Sequence, residues 1–135
     1  MIAKTWAVLA LALFSGLAAA TEIPDEFRGT WKPSTAKCRG KAALTVESDA
    51  LVLSTAKGRM QRWGDVSVCS KCEGGGPQYS GIVVWVSPRV DKPGEQRFFV
   101  FFNAKEKRGV TAITARDKKL ARQFPVMAKK LAKCA

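Results

Sequence analysis

Ile82-Val83-Val84-Trp85-Val86 and, one loop later, Phe98-Phe99-Val100-Phe101-Phe102 are unbroken apolar runs. Strand side chains alternate between two faces, so a strand with no polar positions is apolar on both and needs cover on both. Pro93-Gly94 lies between the runs as a turn signal, and the two therefore read as a hairpin spanning Tyr79 to Val86 and Arg97 to Phe102. A one-sided sheet leaves its second face wet, so something else in the chain must cover this hairpin.

Upstream, the alternation is of the half-buried kind. Leu44, Val46 and Ser48 alternate with Thr45 and Glu47, Asp49 marks a turn, and Leu51 and Leu53 resume the pattern, which predicts a second hairpin. Phe27 to Lys32 reads as a first strand stopped by Pro33, and Arg59 to Cys69 as one strand with a bulge at Gly64. Downstream, Asp117 is a helix N-cap candidate, followed by apolar residues at Leu120, Phe124, Met127 and Leu131, with Cys134 on the same stripe. The spacing predicts an amphipathic helix over about 117–133. Pro125 must kink it, or divide it into two short helices with the proline in the first turn of the second. The stripe is expected to pack on the phenylalanine hairpin; the competing role is a basic helix for a membrane or partner. The fold class expected is mainly β (α+β): a small antiparallel sheet or partly open barrel of six to seven strands with a C-terminal amphipathic helix, stapled by disulfides.

The N-terminus sets the compartment. Lys4 precedes an apolar stretch from Thr5 to Leu17, and Ala18-Ala19-Ala20 supplies the small residues of a cleavage site. The segment resembles a bacterial Sec signal, which implies removal of residues 1–20, one domain over 21–135, and a periplasmic or secreted protein. No other long apolar run occurs, so no transmembrane segment is expected in the mature chain.

In that oxidising setting Cys38, Cys69, Cys72 and Cys134 are expected to form two disulfides. The favoured pairing joins Cys38 to Cys69 or Cys72 and the remaining one to Cys134; a Cys69–Cys72 loop with Cys38–Cys134 is the competitor. Cys69-Ser-Lys-Cys72 also has the spacing of a catalytic dithiol. Such pairs open a helix that lowers the first thiol's pKa, whereas here Glu73-Gly74-Gly75-Gly76-Pro77 follows, and glycine and proline disfavour helix. A redox role is the minor reading. Beside the glycines, Tyr79 belongs to a mobile binding loop or a disulfide-braced hairpin end.

The chain holds 23 Lys and Arg against 11 Asp and Glu, a net +12 that becomes +11 once Lys4 is removed. Residues 105–135 carry ten basic and two acidic side chains. A basic surface attracts anions over about 8–10 Å in physiological salt. The expected binding residues are Lys105, Lys107, Arg108, Lys118, Arg122, Lys129 and Lys133, facing an anionic envelope component (lipopolysaccharide phosphate, anionic phospholipid or wall polymer) or an acidic protein. The bland alternative is a solvated face that aids solubility. No specific nucleic-acid signal is present.

Histidine is absent, which excludes a Ser-His-Asp triad, a Cys-His dyad and His-ligated zinc or haem. The cysteine spacing is not that of a zinc ribbon, and Asp49, Asp91, Glu95 and Glu106 sit at turns rather than in apolar runs that would raise a carboxyl pKa. No catalytic residue, metal or cofactor is expected.

Phe27-Arg28-Gly29-Thr30-Trp31 resembles the Gly-x-Trp opening of lipocalins and related small β-barrels. The resemblance implies that Trp31 plugs one barrel end, that a late arginine, here Arg116, lies across it, and that a small apolar ligand is carried. Six or seven strands fall short of the eight of that family, and the chain is short for a ligand-filled barrel. The chain is also similar to small periplasmic inhibitors of β-barrel type, such as lysozyme inhibitors, although its positive charge opposes a basic lysozyme target. The other tryptophans, Trp63 and Trp85, read as core residues.

Overall fold

The computed structural model describes residues 22–69, 84–88, 97–104 and 107–135, and their strands join one antiparallel sheet. In chain order they are β1 (Gly29–Pro33), β2 (Ala43–Val46), β3 (Ala50–Ser54), β4 (Met60–Gly64), β5 (Val66–Cys69), β6 (Val84–Pro88), β7 (Phe98–Phe102), β8 (Val110–Ala115) and β9 (Leu131–Lys133). The leader, the Pro93-Gly94 turn, and the Gly74–Gly76 and Tyr79 loop lie outside the described residues.

Both predicted hairpins form. Leu44 stands opposite Leu53 and Val46 opposite Leu51, and Glu47 N–H donates to Ala50 O at 2.9 Å to close the turn. Val84 stands opposite Phe102 and Val86 opposite Val100.

The spatial order is β4-β3-β2-β1-β9-β8-β7-β6-β5. The two edge strands, β4 and β5, are neighbours in sequence with only Asp65 between them. The sheet therefore curls until its edges meet at one bend, a nearly closed barrel. Asp65 has φ +58°, a left-handed conformation that aspartate tolerates better than branched residues. The single strand expected over Arg59 to Cys69 is thus two strands, with the break one residue beyond Gly64.

The helix is the larger correction. The α-helix α1 covers Lys118–Gln123 only, and a 3-10 turn, Pro125–Ala128, follows with the proline at its start. Proline has no N–H to donate and forces the preceding residue off helical angles; Phe124 sits at φ −123°, ψ 82°. The last part of the stripe is a strand, β9, inserted between β1 and β8. This strand and the divided β4–β5 raise the count from the expected six to seven to nine. Asp117 caps α1 as expected, its Oδ1 accepting from the backbone N–H groups of Lys119 and Leu120 at 2.9 and 3.1 Å. Among the described residues no helix is long and apolar enough to cross a membrane.

One core fills the barrel. It unites Phe27, Trp31, Phe98, Val100 and Phe102 with Leu120, Phe124, Met127 and Leu131. Phe27 stacks on Phe102 at 4.7 Å, Trp31 lies 5.4 Å from the same ring, and Trp63 meets Phe98 and Phe124 edge-on at 5.0 and 6.1 Å. The C-terminal stripe therefore covers the inward face of β7. On the other face, Arg116 lies over Phe99, with its guanidinium carbon 5.0 Å from the ring centroid.

Among the described residues Thr111 is the one polar misfit in this core. It is fully buried opposite Phe102 and Leu131, and its hydroxyl has no hydrogen-bond partner among the described residues. A buried, unsatisfied hydroxyl costs about 1–3 kcal/mol. Thr111→Val keeps the shape and removes the hydroxyl, so a rise in urea midpoint corresponding to about 1 kcal/mol is expected; a fall would show that the hydroxyl is satisfied in solution.

Candidate functional site

Carboxylates are concentrated in one part of the molecule: residues 22–69 carry six Asp and Glu against eight Lys and Arg, and residues 107–135 one against nine. Arg28 pairs with Asp25 at 2.6 Å and Glu22 at 3.5 Å, and Arg62 with Glu47 at 2.9 Å and Asp49 at 3.7 Å. These four pairs share two arginines. Among the described residues no carboxylate pairs with the cations of 107–133, and the carboxylate of Asp117 faces backbone N–H groups at the start of α1.

Lys107 and Arg108 are exposed in the β7–β8 connection. Asn103 shapes that turn: it adopts φ +56°, and its Oδ1 accepts from Gly109 N–H at 3.3 Å. Lys107 N–H donates to Ala104 O at 3.3 Å, and Val110 N–H donates to Lys107 O at 3.2 Å. Lys118 and Arg122 are exposed on α1, at the opposite end of β8, about 17 Å away along a six-residue strand. Lys129 is exposed just after the 3-10 turn. Lys133 stands opposite Trp31 on β9, and its ammonium donates to Glu26 O at 2.8 Å. Its stem passes Gly29, whose φ is +120° and where an added Cβ would sit 3.3 Å from Lys133 Cε. Lys105 lies outside the described residues.

What the structure brings together is Lys107 with Lys130, a residue absent from the sequence-based set. Both line a groove of about 220 Å³ on β8 and β9, whose apolar wall comes from Ala104, Val110, Ala112 and Ala132. The strand register makes the groove. Thr111 and Leu131 are opposite each other and buried, so the flanking Val110, Ala112 and Ala132 take the outer side, where small side chains leave a depression. Ser34 N–H donates to Lys130 O at 2.9 Å and ties this edge to the end of β1. The signal for this site was the small-residue alternation around 110–112 and 130–132, hidden while 131–133 read as helix.

Cys38 is bonded to Cys134, with a Cα–Cα distance of 5.7 Å across 96 residues of sequence. The pairing favoured from sequence is therefore replaced by the Cys38–Cys134 bond of its competitor, because β9 carries Cys134 along β1 toward the Lys37–Gly40 bend rather than down a helix. Cys38 adopts φ +62° there, and the Lys32 ammonium donates to Cys38 O and Gly40 O at 3.4 and 2.6 Å. Cys69 is also disulfide-bonded; Cys72 lies outside the described residues. Among the described residues no cluster of His, Cys, Asp and Glu is fit to hold a metal ion.

Trp31 is buried in the core, its Nε1 donating to Phe27 O at 2.8 Å. The aromatic under Arg116 is Phe99, not the tryptophan that the resemblance implies. Trp63 is half-buried at the edge of the core, and Trp85 stands opposite Cys69 and Phe101 in the sheet register.

Comparison of the chain with protein-family models, with curated proteins and with solved structures finds no match.

Proposed function

We propose that this protein is a non-enzymatic binding module of the bacterial periplasm or exterior whose C-terminal third engages an anionic envelope component. The observation that carries the reading is the asymmetry of charge: residues 22–69 hold six Asp and Glu against eight Lys and Arg, whereas 107–135 hold one against nine, among them the exposed Lys107, Arg108, Lys118, Arg122, Lys129 and Lys130. Nine cations with one carboxylate among them create a positive potential that a more even mixture of charges would cancel. The disulfide bonding of Cys38, Cys69 and Cys134 supports the oxidising compartment that the leader suggests.

Binding of dextran sulfate, followed by titration calorimetry, tests this reading. Affinity should fall steeply between roughly 50 and 300 mM salt, with a log–log slope on the order of −3 if about four cations make contact. Neutral dextran should not bind. An affinity that ignores salt would overturn the proposal. An acidic protein as the true partner would show itself by failure of sulfated and lipid polyanions alike.

A small-ligand role is the second reading, favoured by the β8–β9 groove. The barrel interior, where the lipocalin resemblance places a ligand, is occupied by Trp31, Phe98, Phe102 and Phe124. The groove is therefore the place to look.

A further inference from the structure

We infer that the groove on β8 and β9 binds a single-chain anionic amphiphile, a fatty carboxylate, with the acyl chain along Val110, Ala112 and Ala132 and the carboxylate between Lys107 and Lys130. The inference rests on the anion-binding reading above and narrows it to one site and one ligand class.

Three features of the site point the same way. The wall is apolar and made of small residues, so it offers contact to methylene groups without filling the depression. Two lysines from different elements line it. Lys107 is presented by the turn that Asn103 shapes, and Lys130 by a segment whose carbonyl is tied to Ser34. Neither has a carboxylate partner among the described residues, and two like charges lining one small cavity are relieved by an anion between them. Finally, a volume of about 220 Å³ is below the roughly 300–1,000 Å³ of pockets that hold drug-sized molecules. It suits one slim chain better than a ring system or a two-chain lipid.

Calorimetry or amide chemical-shift titration of the full disulfide-bonded protein with decanoate, decyltrimethylammonium and acetate separates the contributions. Decanoate should bind, with the cationic amphiphile of equal chain length about tenfold weaker or worse and acetate weaker still. Lys107→Met combined with Lys130→Met should weaken decanoate by about tenfold while sparing decyltrimethylammonium. Ala112→Leu, or Ala132→Leu should the first variant lose its near-ultraviolet circular dichroism, should fill the groove and abolish decanoate binding. Absence of decanoate binding, equal binding of both amphiphiles, or undiminished affinity in a folded groove-filled variant would each overturn the inference. Dextran sulfate is the separating control: its binding surviving in Ala112→Leu leaves the broader reading standing, and its absence in the unaltered protein removes that reading as well.

Discussion

Replacing Cys38 and Cys134 together by serine is expected to lower the unfolding free energy by about 4–5 kcal/mol, the largest effect of any surface-accessible change in this protein. The bond closes a loop of 96 residues, nearly the whole domain, and cross-linking so long a loop removes much of the unfolded chain's freedom. The native side of the comparison points the same way. β9 has only three residues, yet it is the strand that joins β1 to β8 and so unites the two halves of the sheet. Cys134 N–H still donates to Thr30 O at 2.8 Å just beyond it, and the disulfide holds that short strand at its open end. Urea denaturation of the oxidised parent and the double serine variant measures the difference. A loss below about 1 kcal/mol would mean that strand pairing alone secures β9, and that the loop-closure argument does not apply here.

Phe102→Ala should cost about 3–5 kcal/mol. The side chain is fully buried, stacked on Phe27 and beside Trp31, and truncating such a ring loses its transfer energy and leaves a cavity in a packed interior. The informative control is its neighbour. Phe101 points to the other face of β7 and is only partly buried, so Phe101→Ala should cost about 1–2 kcal/mol. Equal losses at the two positions, by thermal or chemical denaturation, would mean that the outer face of β7 is packed as tightly as the core.

The contrast between Phe98, Val100 and Phe102 inside and Phe99 and Phe101 outside shows how far the sequence reading reached. An apolar run on both faces was legible as a strand needing two covers. Which cover went where was not. The C-terminal stripe serves the inner face, and on the outer face Arg116 lies over Phe99. The stripe itself was legible as apolar spacing but not as secondary structure. Spacings of four, three and four are compatible with a helix, yet Leu120, Phe124, Met127 and Leu131 reach the core from a helix, its cap, a 3-10 turn and a strand. Pro125 was the local signal of that division, and the pull of unpaired edges on β1 and β8 for residues 131–133 is a long-range effect that no window of sequence contains. The same limit hid the groove. Lys107 stood out as a basic residue in a basic segment, but its meeting with Lys130 depends on the β8–β9 register. The charge asymmetry was visible as a count; that the N-terminal carboxylates face Arg28 and Arg62 was not.

The central claim is that an anionic partner reads the C-terminal face rather than the total charge of the protein. Two variants with equal charge loss test it. One carries Lys107→Gln, Arg108→Gln, Lys118→Gln and Arg122→Gln; the other carries Arg39→Gln, Lys41→Gln, Lys57→Gln and Arg59→Gln, all exposed and in the N-terminal half. Dextran sulfate affinity at a fixed salt concentration of about 100 mM should fall by roughly tenfold or more in the first and by less than about threefold in the second. Equal losses in both would contradict a defined binding face and leave only the general attraction of a basic protein for polyanions.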